Sequence, residues 1–92
     1  MNSEIFSVYD TKAERFLEPF HAPTTAFALR EFATAVNTEG HQFNIFPEDY
    51  TLFRLGSFDA TEGKLNAEAT PVSIALAGTV LKPSGLEAIT DA

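Results

Sequence analysis

Not one of the 92 residues is cysteine, so nothing covalent cross-links this chain and its fold must come from packing alone. Disulfide frameworks, cysteine-based zinc sites and thiol nucleophiles are excluded outright. At this length one hydrophobic core can be built and two cannot, which predicts a single domain. The material for that core is aromatic. Nine Phe and two Tyr are present, and each ring can bury about 150–250 Å², so a few fill the interior and the rest are left for an interface.

Local patterns place these rings. Ile5 to Tyr9 is β-branched or aromatic, polar residues follow from Asp10 to Glu14, and Arg15-Phe16-Leu17 opens a second run, the signature of a β-hairpin. Pro19 has no N–H to give to a ladder, so the second strand ends there or runs along a sheet edge through Phe20 and His21. Leu29, Phe32, Ala33 and Val36 recur at the i, i+3, i+4, i+7 spacing of one buried helix face, predicting a helix over 25–37 with Thr24 as N-cap and a stop at 37–40. Phe27 falls on the opposite side of that helix, where it either folds over Phe20 or is exposed.

In the following loop, Phe43, Ile45 and Phe46 are the expected anchors to the core. Tyr50 to Leu55 has apolar residues on both faces, as in a central strand, and Gly56 permits a bulge or a close contact. The segment 59–64 carries an Asx-turn acceptor in Asp59 and a positive-φ candidate in Gly63, so it should turn the chain back into a short strand at Lys64-Leu65. For 72–81 two readings stay open. Val72, Ile74, Leu76 and Val80 fit strand alternation, while Thr70-Pro71 resembles a helix start and Val72, Leu76 and Val80 fit a helical stripe. The expected fold is α+β: an antiparallel sheet of two hairpins with one helix packed on one face, plus this fifth element. Residues 1–82 make the domain and 83–92 a flexible tail, with an apolar contact at Leu86 and Ile89.

No constellation for covalent chemistry stands out. His21 and His41 lie in loop contexts without a nucleophile elbow and without a paired ligand spacing, so they read as solvent-facing side chains. Glu48-Asp49 reads as a turn or cap, and 59–63 lacks the alternating acids of a calcium loop. A noncatalytic protein with no metal and no cofactor is expected. The opening Met-Asn-Ser-Glu has no basic region followed by an apolar run and no segment is apolar for long enough to span a bilayer, which predicts a soluble protein of a reducing compartment.

Thirteen acidic and six basic side chains give a formal charge of −7, which disfavours nonspecific coating of nucleic acid. A local site can still form. Alternation puts Tyr50, Leu52 and Arg54 on one sheet face, with Phe58 joining them if Gly56 does not break the register. Aromatics beside a guanidinium can stack nucleobases; the competing reading makes the rings core and pairs Arg54 with an acid of the next strand. Lys12 and Arg15 flank one hairpin turn and Lys64 follows the other, where they form a cationic rim or simply guard the sheet edges. Phe27 and Arg30, on the outer side of the helix, are candidates for a protein partner, a second copy included, and a homodimer is expected.

Several segments carry a resemblance. Phe6-Ser7-Val8-Tyr9-Asp10 with Lys12-Ala13, then Ala28-Leu29-Arg30 through Phe32 to Ala35-Val36-Asn37, then Pro47-Glu48-Asp49-Tyr50-Thr51-Leu52-Phe53 with Leu55-Gly56-Ser57-Phe58-Asp59 resemble the small nonstructural protein of gokushovirus-like microviruses, single-stranded DNA phages. The resemblance covers about Ile5 to Leu65 in unbroken order. It implies a nonvirion protein of the host bacterial cytoplasm that assists the switch from duplex replication to single-stranded genome synthesis and packaging, often described as DNA-binding. The acidic balance departs from that of a DNA-coating protein; an adaptor docking on the replication initiator or the procapsid tolerates it more easily.

Overall fold

The computed structural model describes residues 2–83. Strand β1 (Asn2–Asp10) leads through a tight turn to β2 (Arg15–Phe16) and then β3 (Phe20–Ala22); helix α1 (Thr25–Val36) and the short α2 (Gln42–Ile45) follow. Strands β4 (Tyr50–Asp59) and β5 (Lys64–Leu76) complete the sheet, and a final turn of helix, α3 (Ala77–Val80), packs back on it. Every pairing is antiparallel, in the order β2-β1-β4-β5, with β3 also on β1.

Pro19 interrupts the second strand without ending it. Tyr9 and Asp10 pair with β2, Glu4 to Phe6 pair with β3, and between them the Leu17 N–H donates to the Val8 carbonyl at 2.8 Å. The chain therefore follows one edge of β1 throughout, and Glu18 and Pro19, which join no ladder, are exposed. The β1–β2 turn holds Glu14 at φ 56° and is tied by Asp10, whose carboxylate accepts from the Lys12 and Ala13 N–H groups.

Helix α1 starts and stops where its cap residues dictate. The Thr24 side chain accepts from the Phe27 N–H at 3.1 Å, and Asn37 closes the other end. Ala28, Phe32 and Val36 are buried against Phe6, Val8, Tyr50 and Leu52, with Leu29 and Ala35 alongside. Each large apolar side chain fully enclosed there contributes about 1.5–3 kcal/mol. Asn37 also fastens α3: its amide donates to the Ala33 and Val80 carbonyls and its oxygen accepts from the Lys82 N–H.

The turn after β4 is the expected Asx-turn, with the Asp59 carboxylate accepting from Thr61 and Glu62 and Gly63 at φ +67°. Two expectations need correction. The strand beginning at Lys64 is long, running to Leu76, and the two readings of 72–81 each describe half of it: strand to Leu76, helix from Ala77. Of the three loop anchors only Phe43 is buried; Ile45 and Phe46 are exposed, because α2 is one turn long and presents a single side to the core. From residue 84 onward the expected tail, with Leu86 and Ile89, lies outside the described residues.

Candidate interaction surface

The two sides of this sheet differ in kind. Along β1 the even residues Glu4, Phe6 and Val8 face the helices, and their cross-strand partners Arg54 and Leu52 share that side. The odd residues Ser3, Ile5, Ser7 and Tyr9 face away. No helix among the described residues covers that second face: α1, α2 and α3 all contribute to the one core on the first.

A bulge decides which residues share the open face. Phe6 pairs with Arg54 but Ile5 pairs with Gly56, so Leu55 is one residue extra in β4. A single insertion reverses alternation for everything after it. Phe58, paired with Ser3 and Leu65, consequently projects from the face opposite to Tyr50 and Arg54. Gly56, next to the bulge, permits the close approach of β5, because a Cβ there would run into the Asn66 carbonyl oxygen.

The expected nucleobase platform of Tyr50, Arg54 and Phe58 is therefore not assembled. Tyr50 is only 6% exposed, its ring packed on Phe43 and its hydroxyl donating to Gln42 Oε1 at 3.2 Å. Burial, followed by the nearby Asp10 and Asp49 carboxylates, pushes its phenol above the ordinary value. Arg54 is held between two acids: its Nε donates to Glu4 at 2.7 Å and its Nη1 to Glu68. Four residues of β5, Glu68 to Pro71, stand opposite Leu55 alone, and this wide irregularity lets Glu68 reach back to the guanidinium. The Thr25 hydroxyl donates to Glu4 at 2.8 Å and, ahead of Arg54, holds that carboxyl below its usual value. The competing reading of Arg54 was right in kind, with acids from both neighbouring strands.

The basic residues are dispersed. Lys12 and Arg15 sit at the turn beside Asp10, whereas Lys64 follows the turn beside Asn2 and pairs with Glu62 at 3.4 Å. Eight strand residues separate these ends, about 26 Å at the rise of a β-strand, so the two tips form no common rim. Phe27 and Arg30 are both exposed on the outer side of α1, which for Phe27 is the second of its two alternatives. His21 is exposed, but His41 is not a free solvent-facing group: its Nδ1 accepts from the Phe43 N–H at 3.0 Å as the N-cap of α2, and its ring packs on Phe43.

What the structure does bring together is aromatic and uncharged. At one end of the open face Tyr9, Phe16 and Phe53 pack edge to face, with centroids 4.9 to 6.3 Å apart. At the other end Ile5, Pro19, Phe20, His21, Phe58 and Leu65 line a groove of roughly 340 Å³. Phe16 is 40% exposed, Phe58 36% and Leu65 73%. Between the two ends Ser7 is fully buried beneath its neighbours and donates to the Leu17 carbonyl at 2.6 Å.

A model of the Phage ORF5 protein family matches residues 3–80. The chain belongs to the Phage ORF5 protein family. The match takes in all of β2 to α3 and all but the first residue of β1, so both ends of the open face of this ORF5 protein lie within the matched span. No curated protein and no solved structure matches it. Among the described residues of the ORF5 protein no helix is long and apolar enough to cross a membrane, and no group of three or more His, Asp or Glu side chains could hold a metal ion. The surface residues that sequence reasoning missed are Ile5, Tyr9, Phe16, Phe53 and Leu65. The odd-numbered positions of β1 did carry a signal, since Ile5, Ser7 and Tyr9 alternate with Phe6 and Val8, but nothing local says which set the helix covers.

Proposed function

We propose that this ORF5 protein is a noncatalytic adaptor of phage genome replication and packaging that works in the host cytoplasm through protein contacts and does not coat DNA. The single observation that carries this reading is the uncovered sheet face, aromatic at both ends and free of Lys, Arg, Asp and Glu at its paired strand positions. Contiguous exposed apolar surface of this kind marks protein interaction sites. Strand-coating proteins combine stacking rings with cations along a groove; here the rings of the open face have no Lys or Arg beside them at its paired strand positions, and the most central cation, Arg54, is neutralised twice on the other side. Family membership supports a phage role, and the likeness of the 47–59 segment to microvirus nonstructural proteins supports replication and packaging as its setting.

Two measurements test it. Titration of a labelled single-stranded oligonucleotide at low salt should show no binding that survives added salt. In phage lacking the gene, a complementing L65E variant should fail to restore single-stranded progeny DNA, while a K12A/R15A variant should restore it. Salt-resistant DNA binding, or loss of progeny DNA with the basic-tip variant alone, would overturn the adaptor reading.

A further inference from the structure

We propose that the open sheet face binds a second copy of this chain, the ring cluster of each copy seated in the groove of the other. This deepens the adaptor reading and rests on it, since it names what occupies the face.

Charge selects the occupant. The chain carries a formal charge of −7, so two copies repel wherever their carboxylates approach. Glu4 and Arg54 on β1 and β4, Asp10 paired with Arg15, and Asp59 paired with Lys64 all project to the helix side. The paired positions on the opposite side, among them Ile5, Tyr9, Phe16, Phe53, Phe58 and Leu65, carry no Lys, Arg, Asp or Glu, and His21 is the sole titratable group at them besides the tyrosine. A basic partner would find no acid there and a nucleic acid no cation. For an acidic chain meeting itself, this is the one sheet face that brings no like charges into contact.

Shape points the same way. The ridge of Tyr9, Phe16 and Phe53 and the groove around Ile5, Phe58 and Leu65 lie at the two ends of β1, with small Ser7 midway. A dyad running between two facing sheets, across β1 at Ser7, turns one copy over and exchanges its ends. Ridge then meets groove twice, the self-complementary arrangement that an isologous interface requires. Four strands spaced about 4.8 Å over a length of about 26 Å give on the order of 500 Å² of projected sheet. That is at the low end for a stable interface, so the dimer should dissociate at micromolar concentrations.

Sedimentation velocity on the full chain over a concentration series tests this. A species of twice the 10.0 kDa chain mass is expected, and added salt should strengthen it by screening the repulsion between copies. F16E on the ridge and L65E in the groove should each raise the dissociation constant about tenfold or more, with the far-ultraviolet circular dichroism unchanged. F27E, on the outer side of α1, should leave it unaltered. Because ridge faces groove, mixing F16K with L65E should restore a heterodimer that neither forms alone. A monomer at every concentration, or a dimer indifferent to both face variants, overturns the inference. The adaptor reading fails separately: a wild-type monomer whose L65E variant still loses progeny DNA leaves it standing, and a dimer whose disruption leaves progeny DNA intact removes it.

Discussion

Arg54 and Phe58, four residues apart on one strand, project from opposite faces of the sheet. In an unbroken strand they would share a face. The inserted Leu55, opposite the gap between Ile5 and Phe6, turns the second half of β4 over, and with it the identity of the surface that faces solvent.

Gly56 is the hinge of that arrangement and should not tolerate a side chain. Its would-be Cβ meets backbone atoms of Asn66 and Ala67, and backbone cannot step aside as a side-chain end can. G56A is expected to lose about 3 kcal/mol, the upper part of the range for overpacking, as read by urea unfolding. A variant with unchanged stability would show that β5 is free to move away from β4.

The Glu4–Arg54–Glu68 cluster should stabilise the protein and do so with a defined pH dependence. R54M removes charged hydrogen bonds to two acids and should cost about 1.5–3 kcal/mol. Because the folded state holds the Glu4 carboxyl below its unfolded value, its contribution is fully present above that unfolded value and is lost as pH falls through the folded one. Urea midpoints of the wild type should therefore decline below about pH 4.3, near the free glutamate value, and Thr25→Val should reduce the decline. An R54M chain as stable as wild type at neutral pH would contradict this account.

On the alkaline side the informative residue is Tyr50. Its folded value is raised, so the stability it supplies is present below the unfolded value near pH 10 and lost as pH climbs toward the folded one. Y50F should give up the bond to Gln42, about 0.5–1.5 kcal/mol at neutral pH, and should lose less stability than wild type between neutral and strongly alkaline pH. Parallel curves for the two proteins would place the alkaline transition elsewhere.

Asn37 should matter out of proportion to its position at a helix end. N37A removes two donors and an acceptor that serve Ala33, Val80 and Lys82. The expected result is a loss of about 1–3 kcal/mol, with faster amide exchange confined to residues 77–82 and the end of α1. Uniform acceleration over the sheet would instead mean that Asn37 acts on the whole domain.

Thr24 before the 3.6-residue pattern of α1, the polar run between Tyr9 and Arg15, and Asp59 to Gly63 are local signals, and each produced the turn or cap its chemistry requires. Phe43 against Ile45 and Phe46 was not decidable, because three apolar residues in four say nothing of which one a single helical turn aims inward. Val72 to Val80 was ambiguous for a similar reason: β4 pairs with its first half and Asn37 captures its second, and both partners are distant in sequence.

The sequence by itself determined the class of molecule: one cysteine-free, acidic, aromatic-rich α+β domain whose strands and main helix follow from residue spacing and turn chemistry. Only the tertiary structure decided the surface. Side-chain alternation has a period of two, so one extra residue at Leu55 and the choice of which side α1 covers together settle whether each ring is core or interface, and both depend on contacts between residues far apart in the chain.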